Sequence, residues 1–198
     1  MAADTEARQK FRLIPGGLQS QTVFASIRIT ASPEESPPFE IDARVFEEDT
    51  WLVMSAAPKI AEPPEHPIRL MTDLIEAQPE PVGSVLVRGK NPMRFLAIVH
   101  DVNQEPTWQE SWIKNALMAV FKEAEDRRLQ AIGLPLLGTL HGRLEKRRFI
   151  LLLSRVLKQT PFKHLKQLWL IVPTPQNAEI INWLESEKKG GTHDPLSA

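Results

Sequence analysis

The feature that most restricts what this chain can fold into is an alternation in its second half, where short apolar runs are separated by longer stretches with helical spacing. The runs are GSVLVRG (83–89), FLAIVH (95–100), QAIGLP (130–135) and LWLIVP (168–173). Several are unbroken, as strands buried on both faces are. Between them, SWIKNALMAVFKEAEDRR (111–128) places Trp112, Ile113, Ala116, Leu117, Val120, Phe121 and Ala124 on one side and Lys114, Lys122, Glu123 and Asp126 on the other, which predicts an amphipathic helix. EKRRFILLLSRVLK (145–158) is charged early and apolar late, which predicts a helix whose first turns border a loop and whose remainder packs on a sheet. NAEIINWLESE (177–187) predicts a third helix, with Asn177 as N-cap and Ile180, Ile181 and Leu184 on the buried face. IRLMTDLIEAQ (68–78) carries a weaker helical pattern. Strands alternating with helices of this length specify an α/β sheet covered on both faces.

The first half is punctuated by proline. TVFASIRIT (22–30) and FEIDARVF (39–46) show partial period-2 alternation and flank the turn-rich SPEESPP, so they read as two neighbouring strands. TWLVMSA (50–56) reads as another. One domain over residues 21–187 is expected, with polar ends at 1–20 and 188–198 that fray.

Charge and composition exclude several classes. Lys and Arg number 24 against 25 Asp and Glu, and this net charge of -1 gives no overall pull toward nucleic acids or membrane surfaces. The absence of cysteine rules out disulfides, thiolate catalysis and Cys-ligated zinc and fits a reducing compartment. No apolar stretch approaches the roughly 18 residues of a membrane span, and MAADTEARQK lacks a secretory apolar core, so a cytoplasmic protein is expected. The five histidines have no i, i+4 spacing, and no metal site or cofactor is expected.

GLPLLGTLHGRL (133–144) carries the chemistry. A strand end, a glycine-bearing turn and a following helix present backbone N–H groups to an anion, for which phosphate is the natural guest. The plainer reading is a Gly-Thr turn that caps a helix and binds nothing. His141 sits inside the turn as a phosphate ligand or an acid–base group, or as an exposed histidine without a role. Arg143, Lys146, Arg147 and Arg148 follow, either as a solvated helix face or as anion ligands. Ser55 has neither a nucleophile-elbow pattern nor an identifiable base, so no catalytic residue is assigned.

In this order the segments resemble a macro domain, the ADP-ribose-binding α/β module, over roughly residues 39–185. His100, Val102 and Trp108 match a strand ending in His-x-Val-Gly-Pro followed by a tryptophan, with Asn103 and Gln104 in place of the Gly-Pro. AIGLPLLGTLHG is similar to the family's second phosphate loop: Pro135, Gly138, Thr139 and Gly142 match in type, and Leu140 stands for a glycine. The resemblance implies a three-layer α/β/α fold with a mixed, mainly parallel sheet. It implies a ligand, ADP-ribose or a related phosphorylated nucleotide, held by Ser55, Ala56 and Ala57 on one side and by Gly138, Thr139, Leu140, His141 and Gly142 on the other.

The first half departs from the family. Where the strand before the cleft ends in Asn-Ala-Ala-Asn, TWLVMSAAP ends in Ser55, Ala56, Ala57 and Pro58; proline lacks both an amide side chain and a backbone donor, which implies no robust hydrolase activity. KIAEPPEHPIRLM replaces a Gly-Gly-Gly-Val phosphate loop, and Glu62 and Glu65 repel phosphate. The aspartate of the family's Gly-Asp-Ile-Thr aligns with Arg44 without gaps, or with Asp42 after a two-residue insertion, and these are the adenine-side candidates. The adenine-stacking aromatic falls near Pro173. Losing a charge-assisted adenine contact costs about 1.5–3 kcal/mol, and each lost phosphate-loop hydrogen bond about 1 kcal/mol. Such losses take a micromolar site toward millimolar. The alternative is a degenerate macro fold whose cleft is blocked by residues 62–67 and which acts as a protein-interaction or scaffold module.

Overall fold

TVFASIRIT, expected as one strand, folds back on itself. In the computed structural model, which describes residues 20–54, 78–173 and 175–189, β1 (Ser20–Phe24) and β2 (Ile27–Ser32) form an antiparallel hairpin with Phe24 opposite Ile27. The two linking residues, Ala25 and Ser26, have φ of 45° and 70°. Positive φ at both central positions is the signature of the two-residue turn whose twist matches paired strands. Neither residue is Gly or Asn, so the turn left no mark in the sequence.

Five further strands complete the sheet: β3 (Ala43–Asp49), β4 (Val85–Arg88), β5 (Met93–His100), β6 (Ala131–Pro135) and β7 (Gln167–Ile171). The order across it is β1-β2-β7-β6-β3-β5-β4. The five inner strands run parallel, and β1 and β4 close the edges antiparallel. Phe95 to Val99 of β5 are all buried, as the unbroken run FLAIV requires. TWLVMSA is not a strand over its described part: β3 ends at Asp49, and residues 50–54 are turn and irregular backbone. The cause is the Asp49 side chain, which accepts the N–H of Trp51 (2.7 Å), Val53 (3.1 Å) and Met54 (2.9 Å) and folds the chain out of the sheet.

Helix α1 (Glu110–Asp126) joins β5 to β6, α2 (Lys146–Gln159) joins β6 to β7, and α3 (Asn177–Lys189) follows β7. The buried residues of α1 are the seven that the sequence marks out, Trp112 to Ala124. Both crossovers step across the sheet from the β4 edge toward the β1 edge. Right-handed connections then put α1 and α2 on the same face, where α2 touches both α1 and α3 and α3 reaches β1 and β2. Gln176 rather than Asn177 is the N-cap of α3, since its carbonyl accepts the N–H of Ile180. One continuous core joins this helical layer to the sheet, from Phe24 and Ile29 at one edge to Ala97 and Val99 near the other. Each fully buried Leu, Ile or Phe in it contributes about 1.5–3 kcal/mol. Among the described residues no helix is long and apolar enough to cross a membrane. The weaker helix expected at 68–78 lies almost wholly outside the described residues.

Candidate functional site

A cleft of about 960 Å³ opens at the C-terminal ends of the parallel strands, where such sheets gather ligands. Its lining includes Pro33 to Ser36 after β2, Arg44 to Glu47 on β3, the loop between β6 and α2, Lys146 at the start of α2 and Val172 and Pro173 after β7. A smaller cavity of about 280 Å³ shares His141 and Met54 with it and reaches His100, Val102 and Thr107.

The β6–α2 loop builds one wall. Gly138 has φ of 77°, and a Cβ there would stand 2.4 Å from Ile113 Cδ1, so only glycine fits. Gly142 is hemmed in as well, with a Cβ meeting the Gly138 carbonyl at 2.7 Å and the Trp108 ring at 2.8 Å. Thr139 donates both its N–H (3.1 Å) and its hydroxyl (2.7 Å) to the Leu136 carbonyl, and the Leu144 N–H closes onto the Gly138 carbonyl at 2.9 Å. The N–H groups of Leu140, His141, Gly142 and Arg143 take no partner among the described residues. Thr139, Leu140 and His141 line the cleft, and Leu140 is 80% exposed.

Glu47 is the residue the sequence reading passed over. Its Oε2 accepts the Gly138 N–H at 2.7 Å, and its Oε1 lies 2.5 Å from Nε2 of His100. A carboxylate only accepts, so with Glu47 ionised it is Nε2 of His100 that donates. Both side chains are sequestered, at 10% exposure for Glu47 and 4% for His100. The His141 ring meets the His100 ring edge-on with centroids 6.2 Å apart, extending the cluster toward the cleft. A carboxylate oxygen therefore occupies one backbone donor of the very turn expected to hold an anion. Such charge-assisted bonds are worth about 1.5–3 kcal/mol each, and a ligand has to displace this one or leave it alone.

The rest of the lining is part cationic and part apolar. Phe46 presents an aromatic ring, with the guanidinium carbons of Arg44 and Arg94 at 5.2 and 5.7 Å from its centroid. Arg44 also pairs with Glu34 at 2.7 Å, and Lys146 donates to Gln176 Oε1 at 2.5 Å. Three carboxylates in the lining, Glu34, Glu35 and Glu47, face two such cations.

The sequence candidates separate on this map. Gly138, Thr139, Leu140, His141 and Gly142 stand together in the loop, and Arg44 lines the cleft. Asp42 lies toward the other end of the sheet, where its Oδ2 accepts the N–H of Gln130 (2.6 Å) and Ala131 (2.9 Å) and ties β3 to the start of β6. Ser55, Ala56, Ala57 and Pro58, like the segment 62–67, lie outside the described residues. The strand that ends at the cleft is β3, and it closes with Phe46, Glu47, Glu48 and Asp49. Of the basic cluster, Lys146 reaches the cleft, whereas Arg148 makes a two-pronged bond to Glu110 at 2.7 and 2.8 Å. Among the described residues no group of three or more His, Asp or Glu is placed to hold a metal ion.

No family model matches the sequence, and no curated protein matches it by sequence. Solved structures do match. The macrodomain of Oceanobacillus iheyensis with ADP superposes with a TM-score of 0.65 at 10% identity, covering 88% of this chain and 98% of that one. The macrodomain of Thermus aquaticus DarG gives 0.52 at 14% identity over 73% of this chain and 98% of that one. The macro domain of ganglioside induced differentiation associated protein 2 gives 0.53 at 10% identity over 86% of each. At these identities it is the path of the backbone that is shared, and this chain has the macrodomain fold, α/β/α with a mixed, mainly parallel sheet.

Proposed function

We propose that this protein binds ADP-ribose or a related phosphorylated nucleotide in the cleft between β3, the β6–α2 loop and the end of β7, without robust hydrolase activity. The observation that carries the reading is the cleft itself. About 960 Å³ at the C-terminal strand ends is at the upper end of the range of small-molecule sites, and Phe46 and the turn residues Thr139 to His141 are both in its lining. The likeness to a macrodomain with ADP, and to a variant of it with ADPR, supports the same ligand class. Calorimetric titration with ADP-ribose is the test: binding in the micromolar to millimolar range is expected, and no heat up to millimolar ligand overturns the reading.

A second reading has its own support. The Gly138 N–H is already satisfied internally, and Trp51, Val53 and Leu140 are apolar side chains that are 41%, 65% and 80% exposed. A scaffold module that holds a protein partner with Leu140 would show no nucleotide heat, and would lose its partner on Leu140→Glu.

A further inference from the structure

We infer that Glu47 determines the ligand specificity of the cleft by acting as a built-in anion, keeping phosphate off the Gly138 amide and its own part of the lining. The inference rests on the cleft being a nucleotide site and adds which part of the nucleotide the turn accepts. Glu47 reaches the turn from β3, a different strand from the one that leads into the loop, and is held there from both ends of its carboxylate. Oε2 takes the Gly138 N–H, and Oε1 is anchored on His100, itself buried. The carboxylate is thus fixed on the first amide of the turn, while Glu47 itself lines the cleft. A phosphate on this turn would lose the Gly138 donor and sit against a fixed negative charge. The group that suits the position is one that donates to a carboxylate, such as a sugar hydroxyl. The cleft accordingly favours the nucleoside portion of a ligand beside Glu47, with phosphates drawn to the cations Arg44 and Lys146 that line it elsewhere.

Glu47→Gln removes the charge and keeps the size. Wild type and E47Q are titrated with inorganic pyrophosphate, ADP-ribose and adenosine by calorimetry, with the Gly138 amide followed by nitrogen-15 NMR. The expected result is that E47Q gains about tenfold or more in affinity for pyrophosphate and ADP-ribose and little for adenosine, and that only in E47Q does pyrophosphate move the Gly138 amide. Equal affinities for ADP-ribose in both proteins overturn the inference and leave the nucleotide reading standing. Pyrophosphate captured by E47Q at Gly138, with neither protein binding ADP-ribose or adenosine, upholds Glu47 as an anion surrogate and removes the nucleotide reading. If E47Q does not fold, the wild type alone decides: a Gly138 amide that shifts on addition of millimolar pyrophosphate overturns the inference, and one that stays in place supports it.

Discussion

Across 91 positions of sequence, the carboxylate of Glu47 and the backbone N–H of Gly138 meet at 2.7 Å, joining β3 to the loop that follows β6. That bond needs the loop backbone held in its left-handed bend, and the bend needs glycine.

Gly138→Ala is therefore expected to cost roughly 1–3 kcal/mol, from the positive φ and from the clash with Ile113. Gly142→Ala, pressed against the Gly138 carbonyl and the Trp108 ring, is expected to fall in the same range. Urea melts of the two variants give the numbers directly. A loss under about 0.5 kcal/mol in either would mean that the loop relaxes freely.

Asp42 and Arg44 are separated by a single residue on β3, yet their variants should behave differently. Asp42→Ala leaves the N–H groups of Gln130 and Ala131 without their acceptor and is expected to destabilise the fold by about 1–3 kcal/mol. Its ligand affinity should stay at the wild-type level. Arg44→Ala removes a cleft cation and the partner of Glu34, so its effect should appear in ligand titrations more than in melting. Reversal of the two patterns would place the ligand at the wrong end of the sheet.

Acid should weaken the junction between α1 and the segment that leads into β7. Burial works to raise the Glu125 carboxyl, yet the N–H groups of Leu165, Lys163 and His164, together with the His164 charge, outweigh it and hold the group below its ordinary value of 4.5. A carboxyl that ionises more readily when folded contributes stability above its unfolded value and loses it as pH falls through the folded one. Melting of the wild type should decline below pH 4.5 more steeply than that of Glu125→Gln. Parallel curves for the two proteins would remove Glu125 from the acid response.

The hairpin turn invites improvement. Both Ala25 and Ser26 adopt a backbone that asparagine and glycine adopt with less strain. Replacing them with Asn and Gly, A25N with S26G, is expected to stabilise by about 0.5–1 kcal/mol and to raise the melting temperature by a few degrees. An unchanged or lowered melting temperature would show that this turn is not strained.

What the sequence revealed and what it hid follow from the range of the interactions involved. Helix α1 was legible because seven apolar residues repeat at its own period, and β5 because five consecutive buried positions leave an unbroken run. The glycine loop was legible because glycine is a local demand of the backbone. TWLVM misled because its apolar residues look like a strand, whereas the Asp49 side chain fixes its path. The contacts of Glu47 leave no local mark in the sequence, because they are with Gly138 and His100, 91 and 53 residues away. Three consecutive acids closing a buried strand, Glu47 to Asp49, were the available signal, since such charges are rarely buried without partners.

The Asp49 turn also makes the end of β3 self-sufficient. Because one side chain collects three amides within five residues, the heading of the chain as it leaves the sheet is decided locally, before residue 55 is reached. The acidic tip of the strand therefore keeps its bond to the glycine loop on the strength of contacts made within residues 47–54 and with Gly138 and His100.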